Sequence, residues 1–205
     1  MYKFVITGCP RSGTSFIARF LTSAGIQCNH EAYYGLPSSG FWCPEPQGEA
    51  SWLAVPHLQK DIPKWKCPVI HLVRDPLKVI NSMYQQSFLG DTQFYKNPYT
   101  FIASLSIPEM KYEPELDRYI GFWIMWNECI EPFAKHRLKI EDIDDNPKIL
   151  FDVLKTKMPE GKLFSDKKCN SFKNKKIKQL TLKDLEKSKL YKRFIEKAKE
   201  YGYTY

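Results

Sequence analysis

Residues 8–15, Gly-Cys-Pro-Arg-Ser-Gly-Thr-Ser, constrain the fold more than any other stretch of this chain. Residues 3–7 before them predict a short buried strand. The apolar side chains that follow recur at the three- and four-residue spacing of a helix, which predicts a helix over residues 14–23. Gly25 is predicted to cap that helix. A strand, a glycine-containing loop and a helix in this order are typical of α/β proteins.

The rest of the chain continues the alternation of strands and helices. Further strands are predicted at 68–73 and 138–140, and helices at 47–59, 76–87, 114–135, 147–157 and 181–200. This order predicts a three-layer α/β fold with a central, mostly parallel sheet. The 205 residues suit a single domain, 1–205. Trp123 and Trp126 of the long helix are predicted core residues, and residues 90–112 are a predicted lid or insertion.

Composition narrows the class of partner. The formal net charge of +8 favours anionic ligands such as nucleotides. No run of about 20 apolar residues exists, so no transmembrane segment is predicted. The basic residues have few interleaved aromatics and no nucleic-acid-binding motif, so no nucleic acid partner is predicted. Six scattered cysteines without a C-x-x-C pair indicate reduced thiols in a cytoplasmic protein, and no metal site is predicted.

The loop at residues 8–15 has the chemistry of a phosphate site. Backbone N–H groups at a helix N-terminus point outward, and the helix dipole adds positive charge. Arg11 adds a cation, and Thr14 and Ser15 add hydroxyl donors. The spacing of Gly8 and Gly13 matches the G-x-x-x-x-G-K-[ST] loop of nucleoside triphosphatases, but Thr14 replaces its lysine. The loop is therefore P-loop-like without being a standard P-loop.

A second anion-binding element is predicted at residues 71–82. Arg74 leaves the end of the predicted strand at 68–73, and Pro76 suits the first turn of the next helix. Ser82 lies two turns into that helix. Ligands of parallel α/β sheets bind at the carboxyl ends of the strands, so Arg74 and Ser82 are predicted to reach one anion together.

Both motifs resemble those of sulfotransferases that use 3′-phosphoadenosine-5′-phosphosulfate (PAPS). Pro-Arg-Ser-Gly-Thr-Ser resembles their 5′-phosphosulfate loop, which implies that the donor is bound by Pro10, Arg11, Ser12, Gly13, Thr14 and Ser15. The Arg-Asp-Pro–helix–Ser element resembles their 3′-phosphate site, which implies the same role for Arg74 and Ser82. The implied product is adenosine 3′,5′-bisphosphate. The chain looks closer to bacterial-type and protein-tyrosine sulfotransferases than to the cytosolic small-molecule class, whose Gly-x-x-Gly-Asp-Trp-Lys element is absent. Residues 139–143 also look like the family's strand that ends in Glu-Asp-Leu.

Asn29-His30-Glu31 follow the first helix. They are predicted to end a strand at that point and to face the ligand crevice at the carboxyl ends of the strands. Glu31 resembles the catalytic glutamate of protein-tyrosine and several bacterial sulfotransferases, which implies that Glu31 is the general base. His30 is the alternative base, because its ordinary pKa of about 6.5 suits proton transfer. The predicted catalytic residues are Glu31, Arg11 and His30.

Two other functions stay open from the sequence. One is a P-loop kinase or triphosphatase, which would require Mg²⁺ and a lysine from elsewhere. The other is a nucleotide-binding module without catalysis. For a sulfotransferase, the acceptor hydroxyl or amine is on a sugar, a lipid, a peptide tyrosine or a small molecule, and no oligomeric state is predicted.

Overall fold

A parallel sheet organises the part of the chain that the structure describes. This computed structural model describes residues 2–33, 42–58, 64, 66–89, 115–160 and 177–205. Within them, five strands form one sheet in the order β2-β3-β1-β4-β5: β1 (Phe4–Thr7), β2 (Cys28–His30), β3 (Gly48–Ala50), β4 (Val69–Val73) and β5 (Ala134–Lys139). All the pairings are parallel. The predicted α/β fold is confirmed, and the sheet and helices are consistent with its three-layer form.

The chain divides into two compact units. The first unit, Met1–Arg74 with Ile130–Ser171, contains the sheet. The second unit is Asp75–Cys129 with Phe172–Tyr205. The helices in chain order are α1 (Thr14–Ser23), α2 (Pro76–Gln85), α3 (Glu115–Ile130), α4 (Ile140–Asp145), α5 (Lys148–Val153), α6 (Leu182–Leu185) and α7 (Tyr191–Glu200), and a 3-10 helix covers Trp52–His57. The assignment of residues 1–205 to one domain stays a prediction.

Apolar side chains of the strands and of α1 form the core of the first unit. Phe4 and Ile6 alternate along β1 and pack in one buried cluster with Ile70 and Leu72 of β4. Ile17 of α1 joins the same cluster. The alternation of side chains along a strand leaves Val5 and Thr7 on the other face of β1. The core thus anchors β1 and α1, which flank the loop at 8–13, and the neighbouring strand β4.

Local sequence signals predicted the start of the fold well. The strand expected at 3–7 is β1, and the helix expected at 14–23 is α1. Gly25 has a φ of +84° and donates its N–H to the carbonyl of Thr22 at 3.0 Å, as expected for a cap. Pro76 begins α2 after Asp75, whose carboxylate accepts from the N–H of Leu77 at 2.9 Å. These predictions are confirmed.

Other element predictions were wrong in part. The described part of the helix expected at 47–59 contains β3 and the 3-10 helix instead of one α-helix. The long helix ends at Ile130 instead of 135, because β5 starts at Ala134. That strand ends at Lys139, so residues 140–143 lie in α4 and not in a strand.

The C-terminal predictions also need correction. The helix expected at 147–157 is the shorter α5, and the helix expected at 181–200 is divided into α6 and α7. Thr181 and Asp184 form a capping box that starts α6, where the helix at 181–200 was expected to begin. The lid predicted at 90–112 lies outside the described residues, and so do residues 161–176.

The second unit has its own aromatic core. Trp123 packs edge-on against Phe194 with ring centroids 5.5 Å apart, and Trp126 is fully buried. The prediction that both tryptophans are core residues is confirmed. Asn81 of α2 holds Leu180 through two hydrogen bonds, donated by Asn81 Nδ2 at 2.8 Å and by the Leu180 N–H at 2.6 Å. Among the described helices, none is long and apolar enough to cross a membrane.

Candidate functional site

The residues that follow four adjacent strands meet at one edge of the sheet. Gly8 follows β1, Glu31 follows β2, Ser51 follows β3 and Arg74 follows β4. Because these strands are parallel and adjacent, their carboxyl ends share an edge. This is the edge at which α/β sheets bind ligands. All four residues belong to the first unit.

The loop after β1 is fixed by two glycines. A Cβ atom on Gly8 would lie 2.1 Å from the backbone oxygen of Leu72 in β4, so only glycine fits there. Gly13 has a φ of +101°, which disfavours other residues, and it is the N-cap of α1. Inside the loop, the N–H of Ser12 donates to the carbonyl of Cys9 at 3.0 Å. The loop therefore lies tightly against the end of β4.

The first turn of α1 has the features of an anion site. Gly13 supplies no side-chain cap, and the first turn contains no acidic residue. Thr14 is buried and Ser15 is partly exposed, so hydroxyl groups occupy the first two helical positions. The positive end of the helix dipole acts at the same place. These features together favour a phosphate or sulfate group.

Two arginines lie next to this helix start. Arg74 donates from Nη1 to the backbone oxygen of Arg11 at 3.0 Å. Burial lowers the pKa of Arg11, and the charge of Arg74 lowers it further, while Glu31 raises it. Arg11 also has a left-handed backbone, with a φ of +74°. Two repelling guanidinium groups held close together would be stabilised by an anion between or beside them.

Glu31 is a buried carboxylate at the same edge. Its residue is 8% exposed and its φ is +55°, so it lies in the left-handed region. Burial, followed by the charge of Glu49, raises the pKa of Glu31 to about 7, whereas Arg11 and a hydrogen bond from Trp52 act in the opposite direction. A carboxyl group with a pKa near 7 can accept a proton in a reaction at neutral pH.

His30 connects Glu31 to the helix start. Its Nε2 lies 3.3 Å from Glu31 Oε1 and 3.3 Å from Thr14 Oγ1. Burial lowers the pKa of His30 to about 4, and the charge of Arg19 acts in the same direction. The ring is therefore neutral at physiological pH, so its contacts with Thr14 and Glu31 are not ion pairs.

Glu49 is the acidic residue that the sequence reasoning missed. It lies in the middle of β3 and is fully buried. Its carboxylate accepts from the hydroxyl of Tyr2 at 2.9 Å and from the N–H of Tyr33 at 3.4 Å. Asn29 Nδ2 donates to the same Tyr2 hydroxyl at 2.9 Å. The short segment Gly-Glu-Ala gives no strand signal. Only the alternation of polar Glu49 with its small neighbours could have indicated a strand at this position.

The first unit brings together most of the predicted site residues. The loop residues Pro10, Ser12, Gly13, Thr14 and Ser15 lie between β1 and α1 or at the start of α1. Arg11, Arg74, His30 and Glu31 are linked through the contacts given above. Ser82 lies in α2, in the second unit. Its pairing with Arg74 stays a prediction.

Two further properties describe the chemistry of the site. In the described part of the chain, no group of three or more His, Cys, Asp or Glu side chains could hold a metal ion.

The described cysteines are free thiols: Cys9, Cys28, Cys43, Cys67 and Cys129. Burial raises the pKa of Cys9, the cysteine in the loop, so its thiol stays protonated and unreactive.

No protein-family model matches this chain, and no curated protein matches it.

Proposed function

We propose that this protein is a PAPS-dependent sulfotransferase. The observation that carries the proposal is one constellation: the Arg11 and Arg74 guanidinium groups lie at the start of α1, with the buried carboxyl of Glu31 near Arg11. Cations and helix N–H groups suit the anionic donor, and a carboxyl with a pKa of about 7 suits proton removal.

In this proposal the loop and the start of α1 bind the 5′-phosphosulfate. Pro10, Ser12 and Gly13 shape the backbone, and Arg11, Thr14 and Ser15 supply charge and hydroxyl donors. Arg74 binds the 3′-phosphate, with Ser82 as the second contact that the family resemblance implies. The hydrogen bond from Arg74 to the loop backbone supports a link between the two anion sites.

Glu31 is the proposed general base. The acceptor oxygen or nitrogen attacks the sulfur, the bond between sulfur and the phosphate oxygen breaks, and Glu31 takes the acceptor proton. The negative charge that develops on the leaving adenosine 3′,5′-bisphosphate is stabilised by Arg11 and the N–H groups of the loop. PAPS supplies only the sulfuryl group, so every proton step belongs to residues of this chain.

His30 is better suited to orientation than to proton transfer. A ring whose pKa is lowered to about 4 is a weak base at neutral pH. Its Nε2 lies within 3.3 Å of both Glu31 and Thr14. His30 is therefore proposed to hold the base next to the helix start that binds the donor.

The chemistry of the site indicates only the nucleophilic group of the acceptor. A base with a pKa near 7 suits the hydroxyl or amine of a sugar, a lipid, a peptide tyrosine or a small molecule. The free thiols of the described cysteines support the expected cytoplasmic location.

Calorimetry with two nucleotides tests the donor site. Adenosine 3′,5′-bisphosphate is expected to bind without Mg²⁺ and more tightly than ATP, because Arg74 reads a second phosphate and no lysine occupies position 14. Labelled PAPS and a panel of acceptors then test turnover.

Two results would redirect the assignment. Tighter binding of ATP in the presence of Mg²⁺ would indicate a kinase or triphosphatase. Binding of adenosine 3′,5′-bisphosphate without transfer to any acceptor class would indicate a nucleotide-binding module.

A further inference from the structure

Glu49 is a buried carboxylate that accepts hydrogen bonds from the residues just after Glu31. It is fully buried in β3, opposite Val5 of β1 and Asn29 of β2. A buried carboxylate is unfavourable unless hydrogen bonds satisfy its oxygens. Tyr2 and the backbone N–H groups of Ala32 and Tyr33 provide these bonds. Glu49 therefore has a defined orientation.

The bonds to Ala32 and Tyr33 bear directly on Glu31. These two N–H groups follow Glu31 in the chain, and Glu31 itself has a φ of +55°. A left-handed backbone at a residue other than glycine persists only where the surroundings determine it. The carboxylate of Glu49 supplies that constraint, because it holds the two peptide groups just after the left-handed residue.

We infer that Glu49 is a positioning residue of this site: its carboxylate holds the turn that carries Glu31 and places a second negative charge near that of Glu31. This inference depends on the proposed function only where it treats Glu31 as the base. Glu49 itself touches no substrate in this scheme.

The charges around the two carboxyls agree with this role. After burial, Glu49 is the main cause that raises the pKa of Glu31, against Arg11 and Trp52. Burial raises the pKa of Glu49 to about 6, so Glu49 ionises before Glu31 as pH rises. The neutral ring of His30 faces Glu31 at 3.3 Å. Among the residues that the structure describes, Tyr2 and Cys28 also have pKa values that the charge of Glu49 raises.

Carbon-13 NMR of labelled glutamate carboxyls measures this coupling without any substrate. The signal of Glu31 is assigned by its loss in Glu31→Gln. In Glu49→Gln, which keeps the shape and removes the charge, the titration midpoint of Glu31 is expected to fall by about one pH unit. Amide exchange at Ala32 and Tyr33 is expected to become about tenfold faster, because a charge-assisted hydrogen bond becomes a neutral one. The exposed Glu45 provides the matched control, Glu45→Gln, which should change neither.

A second variant keeps the test decisive if Glu49→Gln does not fold. Tyr2→Phe removes the hydroxyl that donates to Glu49, so the midpoint of Glu49 should rise and that of Glu31 should fall. An unchanged Glu31 midpoint in the variant that folds, together with unchanged exchange at Ala32 and Tyr33, would overturn the inference.

Activity adds a readout that a merely structural residue would not move. In Glu49→Gln the acidic limb of the pH–turnover profile should shift to lower pH, with unchanged affinity for adenosine 3′,5′-bisphosphate. If that nucleotide fails to bind the wild-type protein, the proposed function fails. The NMR midpoints still decide the role of Glu49 in that case.

Discussion

At the scale of single residues, two charged side chains of the site belong to residues with a strained backbone. Arg11 and Glu31 both have positive φ, at 74° and 55°. Each such residue costs on the order of 1–3 kcal/mol and persists because its surroundings fix it. For Arg11 the constraint includes the hydrogen bond from Arg74, and for Glu31 it includes the turn held by Glu49. In these conformations the Arg11 guanidinium and the Glu31 carboxyl both lie at the same edge of the sheet.

Replacing Glu31 by Gln should abolish most of the turnover while leaving nucleotide affinity nearly intact. A general base acts in the transition state, so we expect turnover to fall roughly 10²–10⁴-fold. In the wild-type protein, turnover should rise with pH through about 7, because Glu31 must lose its proton to act as a base. Steady-state rates with labelled PAPS measure both effects.

The matched variant is His30→Ala. Its turnover should fall less than that of Glu31→Gln if His30 only orients Glu31. Near-normal turnover in Glu31→Gln together with abolished turnover in His30→Ala would move the base to His30.

Replacing Arg74 by Ala should weaken the binding of nucleotides that carry a 3′-phosphate. Loss of one charged hydrogen-bond partner costs roughly 1.5–3 kcal/mol. Arg74 also donates to the backbone of Arg11, and this lost bond affects every ligand of the loop. The comparison of adenosine 3′,5′-bisphosphate with adenosine 5′-phosphate by calorimetry separates the two effects. Equal losses for both nucleotides would show that Arg74 does not read the 3′ position.

At the scale of elements, the contact between the loop and β4 fixes the site. Gly8→Ala would place a methyl group 2.1 Å from the Leu72 carbonyl, which is backbone and cannot turn away. The strands must separate or the loop must shift, at a cost of roughly 1–3 kcal/mol or more in unfolding free energy. Urea unfolding measures that cost, and nucleotide binding should weaken in the same variant.

Gly25→Ala is the control for this experiment. Gly25 has a φ of +84°, but nothing lies within 4 Å of an added Cβ. Its replacement therefore reports backbone strain alone, about 1–2 kcal/mol, without a clash and far from the ligand edge. Equal nucleotide affinity in the two variants would contradict a role for the Gly8 contact in shaping the loop.

Elements with local signals were predictable from the sequence, and elements without them were not. Gly13, Pro76 and Thr181 occupy positions where helix starts favour them, and helices begin after or at these residues. The three residues of β3 have no such signal, since Gly, Glu and Ala all have low strand propensity. The strand exists because β1 and β2 pair with it on both sides.

The candidate site follows the same division. Its loop and Arg74 are found from motifs, because each motif is continuous in the chain. The roles of Glu49 and Tyr2 depend on a contact between residues far apart in sequence. The bond from Asn81 to Leu180 joins residues that are farther apart still in sequence, and it was not predicted either. Sequence patterns report local geometry, whereas these buried pairs are selected by tertiary packing.

At the scale of the whole molecule, the buried carboxyl of Glu31 makes stability depend on pH. Its pKa is raised from 4.5 to about 7 in the folded protein, so the folded state binds more protons between these values. Stability from this group is therefore fully present below pH 4.5 and is lost as pH rises through about 7. At 1.36 kcal/mol per pKa unit, the loss is about 3 kcal/mol.

Glu31→Gln should therefore stabilise the protein at pH 8 and have little effect at pH 4.5. Urea unfolding of the variant and the wild type at both values measures the difference. The lowered pKa of His30 makes stability rise with pH between about 4 and 6.5, opposite to the effect of Glu31. Because both proteins contain His30, this contribution cancels in the comparison. A stabilisation of equal size at both pH values would show that the carboxyl is not desolvated in the folded protein.

The parallel sheet also has a consequence for how the chain folds. Val5 pairs with Glu49 on one side and with Val69 on the other, and Val69 pairs in turn with Ala134. Among the described strands no antiparallel pair exists, so no hairpin can nucleate the sheet. Long loops must close before any strand pairs, which slows folding to the range of milliseconds to seconds. During synthesis, β1 must therefore wait until β3 and β4 have been made before it can pair on either side.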